Sequence, residues 1–148
     1  MTPATEQTVV EVADRLFTAI ERSDGAAVAR MWSDDIAVWR VGARRDPSRT
    51  DDKARALRVI DWFIGATTER HYEILDRQLF GCDTGETEGG PADGSVSGFV
   101  QQHVLHATGH AGQSISLRVC IVIKVAANGL INRIDEYFDP AGIAPLMN

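Results

Sequence analysis

Stretches of helical periodicity come first in this chain and long stretches of period two come after, and that order constrains the fold more than any other feature. Between residues 8 and 20 the apolar side chains fall at Val9, Val12, Ala13, Leu16, Phe17 and Ile20, the spacing of an amphipathic helix. Ser23, Asp24 and Gly25 end it, and Asp24 is placed to cap a second, shorter helix carrying Ala27, Val28, Met31 and Trp32. A third helix, with Thr50 and Asp51 as its expected caps, carries Ala54, Leu57, Ile60, Phe63 and Ile64 and closes at Gly65 and Thr67. Between the second and third helices, Ile36, Val38 and Arg40 alternate with Ala37, Trp39 and Val41, which reads as a strand. Four more strands are expected over residues 71–80, 96–106, 115–125 and 130–138, with Asn128-Gly129 as a tight hairpin signal. Helices first and a strand meander after them predict an α+β fold, with the three helices of the N-terminal half on the concave face of a curved, mixed or antiparallel sheet. No internal repeat is found, and residues 1–148 are expected to form one domain.

Charge narrows the partners. The net charge is -6 and no basic run occurs, which argues against nucleic acid and against an anionic membrane. No apolar stretch reaches the ~20 residues that span a bilayer, and the N-terminus lacks a signal-peptide pattern, so a cytoplasmic protein is expected. Cys82 and Cys120 lack metal-ligand spacing and read as reduced thiols. His103, His106 and His110 resemble a ligand series, but His103 and His106 point to opposite faces of a strand, so no metal site is expected.

Period two also sorts the side chains by face. On the last strand Ile134, Glu136 and Phe138 share one side, and the two apolar neighbours mark it as the inner one. On the strand after the acidic, glycine-rich loop of residues 81–94, Phe99, Gln101, His103 and Leu105 share a face. On the first strand Val38 and Arg40 do. A buried Glu136 needs a partner or a raised pKa, and Arg40 is long enough to be that partner.

The stretch from Ser23 through Asp34-Asp35 to Trp39, and the closing Asp135-Glu136-Tyr137-Phe138-Asp139, resemble the nuclear-transport-factor-2-like superfamily, in its SnoaL-like and limonene-epoxide-hydrolase-like branch. The resemblance covers nearly the whole chain and implies a cone-shaped domain around one pocket for a small, largely apolar molecule. It also implies a homodimer formed through the outer face of the sheet, where Trp39 lies. Matching the epoxide-hydrolase-like pattern puts Gln101 at the family's arginine, and His103 and Glu136 at its two aspartates. Val38 and Arg40 fall where those hydrolases hold water with a tyrosine and an asparagine. Gln101 carries no charge, so the hydrolase constellation is only partly reproduced. Matching to the ketosteroid isomerases puts Leu16, Arg40 and Ile121 at the reacting positions, which excludes that constellation.

Two classes of function follow. The first is an enzyme without a cofactor, in which His103 and Glu136 handle protons during hydrolysis, cyclisation, dehydration or isomerisation of a hydrophobic substrate. Arg40, Gln101, Val38, Phe99, Ile134 and Phe138 would then form its binding surface. The second is a binding or dimer-forming module in which Arg40 and Glu136 are a structural ion pair and His103 a satisfied core histidine. Trp32 and Trp62, on helix stripes, are expected in the core. Arg44, Arg45 and Arg49 read as a solvated loop.

Overall fold

The computed structural model describes residues 3–41, 49–82 and 97–147. The first helix, α1 (Glu6–Glu21), is capped by the Thr5 hydroxyl, which accepts from the amide of Thr8, and buries the apolar stripe from Val9 to Ile20. The short α2 (Gly25–Met31) is capped by Asp24 through the amide of Ala27. Strand β1 (Trp32–Arg40) follows without a loop, and α3 (Lys53–Ala66) leads into β2 (Thr67–Phe80) just as directly. The remaining strands are β3 (Ser97–Gly109), β4 (Ser114–Val125) and β5 (Ile131–Tyr137), and a 3-10 helix, Pro140–Met147, ends the described chain.

The strands form one open mixed sheet in the order β1-β5-β4-β3-β2. The meander β2 to β5 is antiparallel throughout, and β1 joins parallel to β5. Because β1 is an edge strand, its outer backbone needs cover, and Val38 exchanges both backbone hydrogen bonds with Asp51, at 3.0 and 2.7 Å. The inner face of β4 is apolar and that of β3 carries Gln101 and His103 among apolar residues; α1 lies against β2 and β3, and α3 against β1 and β2. This α+β architecture is the one expected from the order of periodicities.

Several local details differ from expectation. The cap of α3 is Asp52, whose carboxylate accepts from the amide of Arg55, and Asp51 serves the β1 edge instead. Trp32 is the first residue of β1 and only the cap of α2; it is buried, but from the strand. Trp62 is 42% exposed, so it is not core. Strands β1 and β2 start four residues earlier than the residues that alternate most clearly, at Trp32 and Thr67. In the β4–β5 turn only Gly129 takes a positive φ, 83°, while the Asn128 carboxamide oxygen accepts from the amide of Leu130. Residues 42–48 and 83–96 lie outside the described residues, and with them Arg44, Arg45 and most of the glycine-rich segment expected to form a loop.

Arg70 ties these layers together. It is buried and forms no ion pair among the described residues; its Nε donates to the carbonyl of Ile20 at 2.8 Å, and Nη1 donates to the carbonyls of Ile64 and Thr67 and to the Thr67 hydroxyl. Nη2 donates to the Ser23 hydroxyl. Those carbonyls lie at the C-terminal ends of α1 and α3, where a cation is favoured by the unpaired acceptors of the last turn. Ser23 has a φ of 62°, a conformation that glycine tolerates better, and the bond to Arg70 offsets its strain.

Candidate functional site

Parallel pairing sets Arg40 beside Glu136 and Val38 beside Ile134, so the C-terminal ends of β1 and β5 present a cation and a carboxylate on the concave face. Arg40 Nε donates to Glu136 Oε1 at 3.3 Å, with side chains 13% and 25% exposed. Both groups border a cavity of about 420 Å³ enclosed between the sheet, α1, α3 and the C-terminal 3-10 helix. Its walls are mostly apolar. Leu16, Phe17 and Ile20 come from α1, Leu105, Leu117, Val119, Ile121 and Ile134 from the sheet, and Ile60 and Phe63 from α3. Phe138, Pro140, Ile143 and Met147 complete it from the chain end. Val59, Trp62 and Met147 are exposed large apolar side chains of this lining and form part of its rim.

The polar groups in this lining are few: Arg40, Asp51, Tyr72 and Glu136, with the indole of Trp32. Tyr72 packs against Phe17 at 4.8 Å between ring centroids. Burial, together with the nearby carboxylates of Glu136 and Glu21, pushes its phenol well above the ordinary value, so it stays protonated and able to donate. Trp32 Nε1 and Arg40 Nη1 are buried donors without a partner. Leaving a buried donor unpaired costs on the order of 1–3 kcal/mol, and an acceptor atom on a bound molecule would relieve it.

The expected site residues divide into two groups. Arg40, Ile134, Glu136 and Phe138 line the cavity. Gln101, His103, Val38 and Phe99 lie on the same concave face but are packed behind the wall rather than in it, each no more than 2% exposed. The four polar groups Arg40, Gln101, His103 and Glu136 therefore do not meet in one hollow. Phe17 and Tyr72 stand edge-on to the His103 ring, at 5.4 and 5.0 Å, and both are themselves cavity residues. Burial, reinforced by the charge of Arg77, pulls His103 down from 6.5 to about 4. Gln101 bonds His103 Nδ1 at 2.9 Å and accepts from Arg77 Nε at 2.8 Å.

Asp51 and Trp62 are cavity residues that sequence reasoning did not single out as such, and of His71 and Tyr72, either of which it could place at the rim, the structure puts Tyr72 in the lining. For Tyr72 the signal lay in the hairpin register, which pairs it with the inward-facing Leu105. His106 faces outward, bonded to Ser116 and Glu73, and among the described residues no group of three His, Cys, Asp or Glu could hold a metal ion. Cys82 and Cys120 are free thiols. A second, more polar concavity, about 540 Å³, lies at the edge of the sheet by Glu21, His71 and His106. No described helix is long and apolar enough to cross a membrane.

No protein-family model matches the chain, and no curated relative does. Solved structures do. PrhC from Penicillium brasilianum superposes with a TM-score of 0.71 at 14% identity, covering 98% of this chain and 89% of its own. An epoxide hydrolase from M. tuberculosis of the limonene-epoxide-hydrolase-like type gives 0.64 at 17% identity, over 95% and 90%. RV0760c from Mycobacterium tuberculosis, in complex with estradiol-17beta-hemisuccinate, gives 0.68 at 15% identity, over 91% and 96%. At these identities the likeness establishes the fold, which is the nuclear-transport-factor-2-like, SnoaL-like cone that the sequence resembled, and a fold alone does not carry an activity.

Proposed function

We propose that the cavity binds a small, largely apolar molecule bearing an oxygen atom and performs acid-base chemistry on it, with Glu136 as the proton acceptor. The supporting observation is the carboxylate of Glu136 at the wall of a 420 Å³ apolar cavity, a quarter exposed and held by Arg40. A carboxylate so placed is costly to bury without a use. In this reading Arg40 fixes the carboxylate, and the protonated phenol of Tyr72 donates to the substrate oxygen where negative charge develops. Ile134 and Phe138 contact the apolar body, while Val38, Phe99 and Gln101 support the wall from behind. His103, with its lone pair at Nδ1 engaged and its pKa pulled to about 4, is a poor base near neutrality. The reading is consistent with the epoxide hydrolase and with the steroid ester held by RV0760c, both on the same fold. Hydrolysis, cyclisation, dehydration and isomerisation all suit the two groups.

The Arg40–Glu136 bond itself favours a second reading, a binding module in which the pair is structural. The test is turnover of a panel of apolar epoxides, ketones and alcohols, followed by mass spectrometry, with wild type and Glu136→Gln. Turnover lost in Glu136→Gln, while 1-anilinonaphthalene-8-sulfonate still binds, supports the enzyme. Binding of that probe by wild type with no turnover of any panel member favours the module.

The reading also takes residues 1–148 as one domain of a cytoplasmic homodimer. Its support is the outer face, where Trp39 and the 49% exposed Tyr137 pack at 4.9 Å between ring centroids, tilted by 52°, and would lose water on pairing.

A further inference from the structure

Arg77 and Gln101 are directly opposed across the β2–β3 ladder, and this pairing starts a chain of hydrogen bonds whose direction has only one solution. A guanidinium donates and never accepts, so the Gln101 atom 2.8 Å from Arg77 Nε is the carboxamide oxygen. The Gln101 amide nitrogen therefore faces His103, two residues along the same face of β3, at 2.9 Å from Nδ1. An amide nitrogen only donates, so Nδ1 must be bare, and a neutral imidazole with a bare Nδ1 carries its proton on Nε2. At its outer end Arg77 is anchored by Asp14 of α1, at 2.8 Å, and its guanidinium lies 5.6 Å over the ring of Phe99. The chain thus runs from a largely exposed carboxylate to an imidazole that is 1% exposed. Its far end is edge-on to Phe17 and Tyr72, with the Tyr72 ring at 85° to the imidazole.

We propose that Asp14, Arg77 and Gln101 form a one-way hydrogen-bond chain that locks His103 as the neutral Nε2–H tautomer, and that His103 is a positioning residue for Tyr72 rather than a proton carrier. This rests on the reading of the cavity as the functional site only for the consequence at Tyr72; the tautomer follows from the hydrogen bonds alone. The charged or titratable groups around the imidazole are Arg77 and Tyr72 from β2, Asp14 from α1 behind Arg77, and Glu136 from β5 beyond Tyr72. The edge-to-face contacts are those in which ring N–H and C–H bonds meet π-faces, so a fixed tautomer fixes what Tyr72 packs against.

The test is imidazole nitrogen–proton correlation spectroscopy on the full-length, nitrogen-15-labelled protein, with the His103 signals assigned by their loss in His103→Asn. Wild type is expected to show the Nε2–H pattern for His103, unchanged from pH 8 down to about pH 5.5. Gln101→Glu replaces the donor with an acceptor, so His103 should switch to Nδ1–H and begin to titrate at least one pH unit higher. The Tyr72 ring signals should move with it, whereas Gln102→Glu, on the outward face, should leave both unchanged. If Gln101→Glu does not fold, Arg77→Met serves: it frees the Gln101 amide to turn over, and a mixture of tautomers is expected. An Nδ1–H pattern in wild type, or a pattern indifferent to both Gln101→Glu and Arg77→Met, overturns the proposal. None of these readouts involves turnover, so failure of the enzymatic reading would leave them intact.

Discussion

Gln101 Nε2 donates to His103 Nδ1 across 2.9 Å inside the core, and the bond leaves no room for a second proton on the imidazole. Charging His103 would set two donors against each other, and burial together with the charge of Arg77 lowers its pKa from 6.5 to about 4.

A stability profile follows from that depression. Between pH 6.5 and pH 4 the unfolded chain binds a proton at His103 that the folded chain refuses. The contribution is fully present above pH 6.5 and is lost as pH falls, the loss reaching about 3 kcal/mol near pH 4. Urea unfolding at pH 7 and pH 4.5 should show this loss in wild type, and a smaller acid-dependent loss in His103→Phe.

Replacing Arg70 by methionine removes its hydrogen bonds to the carbonyls of Ile20, Ile64 and Thr67 and to the hydroxyls of Thr67 and Ser23 at once. A cost of about 3 kcal/mol is expected, seen as a lower urea midpoint. Arg70→Lys should recover only part of it, since an ammonium cannot reach the same acceptors in one plane.

Gly98 in β3 lets the neighbouring strand approach closely. A Cβ there would lie 2.0 Å from the carbonyl oxygen of Ile123 and 2.8 Å from the Phe80 ring. Gly98→Ala should cost more than ~3 kcal/mol because backbone, not a side-chain tip, must move. Circular dichroism and the urea midpoint would register it.

Trp62 stands on the cavity rim, Trp32 is buried in the wall and Trp39 packs against Tyr137 at the outer face. Binding of an apolar probe should therefore shift the tryptophan emission to shorter wavelength, and Trp62→Phe should remove most of the shift. Trp39→Phe should preserve it.

Sequence periodicity revealed the elements well and the site in part. The face of each strand follows from a period of two, so Ile134, Glu136 and Phe138 were legible as inward before any coordinates. Depth along a face is not. Whether an inward residue meets the cavity or the packed core depends on what covers it, and here Phe17 from α1 and Tyr72 from β2 stand between His103 and the hollow. The choice between His71 and Tyr72 as the residue at the pocket stayed open in the sequence because β2 carries many exposed polar residues and a register shift between Ile74 and Asp76, which blurs alternation. The apolar stripe of α3 was read as core, but part of it faces an unfilled space, so Trp62 and Val59 are left on its rim. Adjacent acids defeated the cap assignment, since Asp51 and Asp52 are equally good caps by composition and only the β1 edge decides which is free.

The cavity is the claim on which the functional reading depends. It is tested most directly by fluorescence titration with 1-anilinonaphthalene-8-sulfonate of wild type, Val119→Trp and Val122→Trp, each first shown to be folded by circular dichroism. Val119 faces the hollow and Val122 the opposite side of the same strand. Saturable binding in wild type and Val122→Trp, abolished in Val119→Trp, is the expected result; equal binding by all three proteins, or none by wild type, would contradict it.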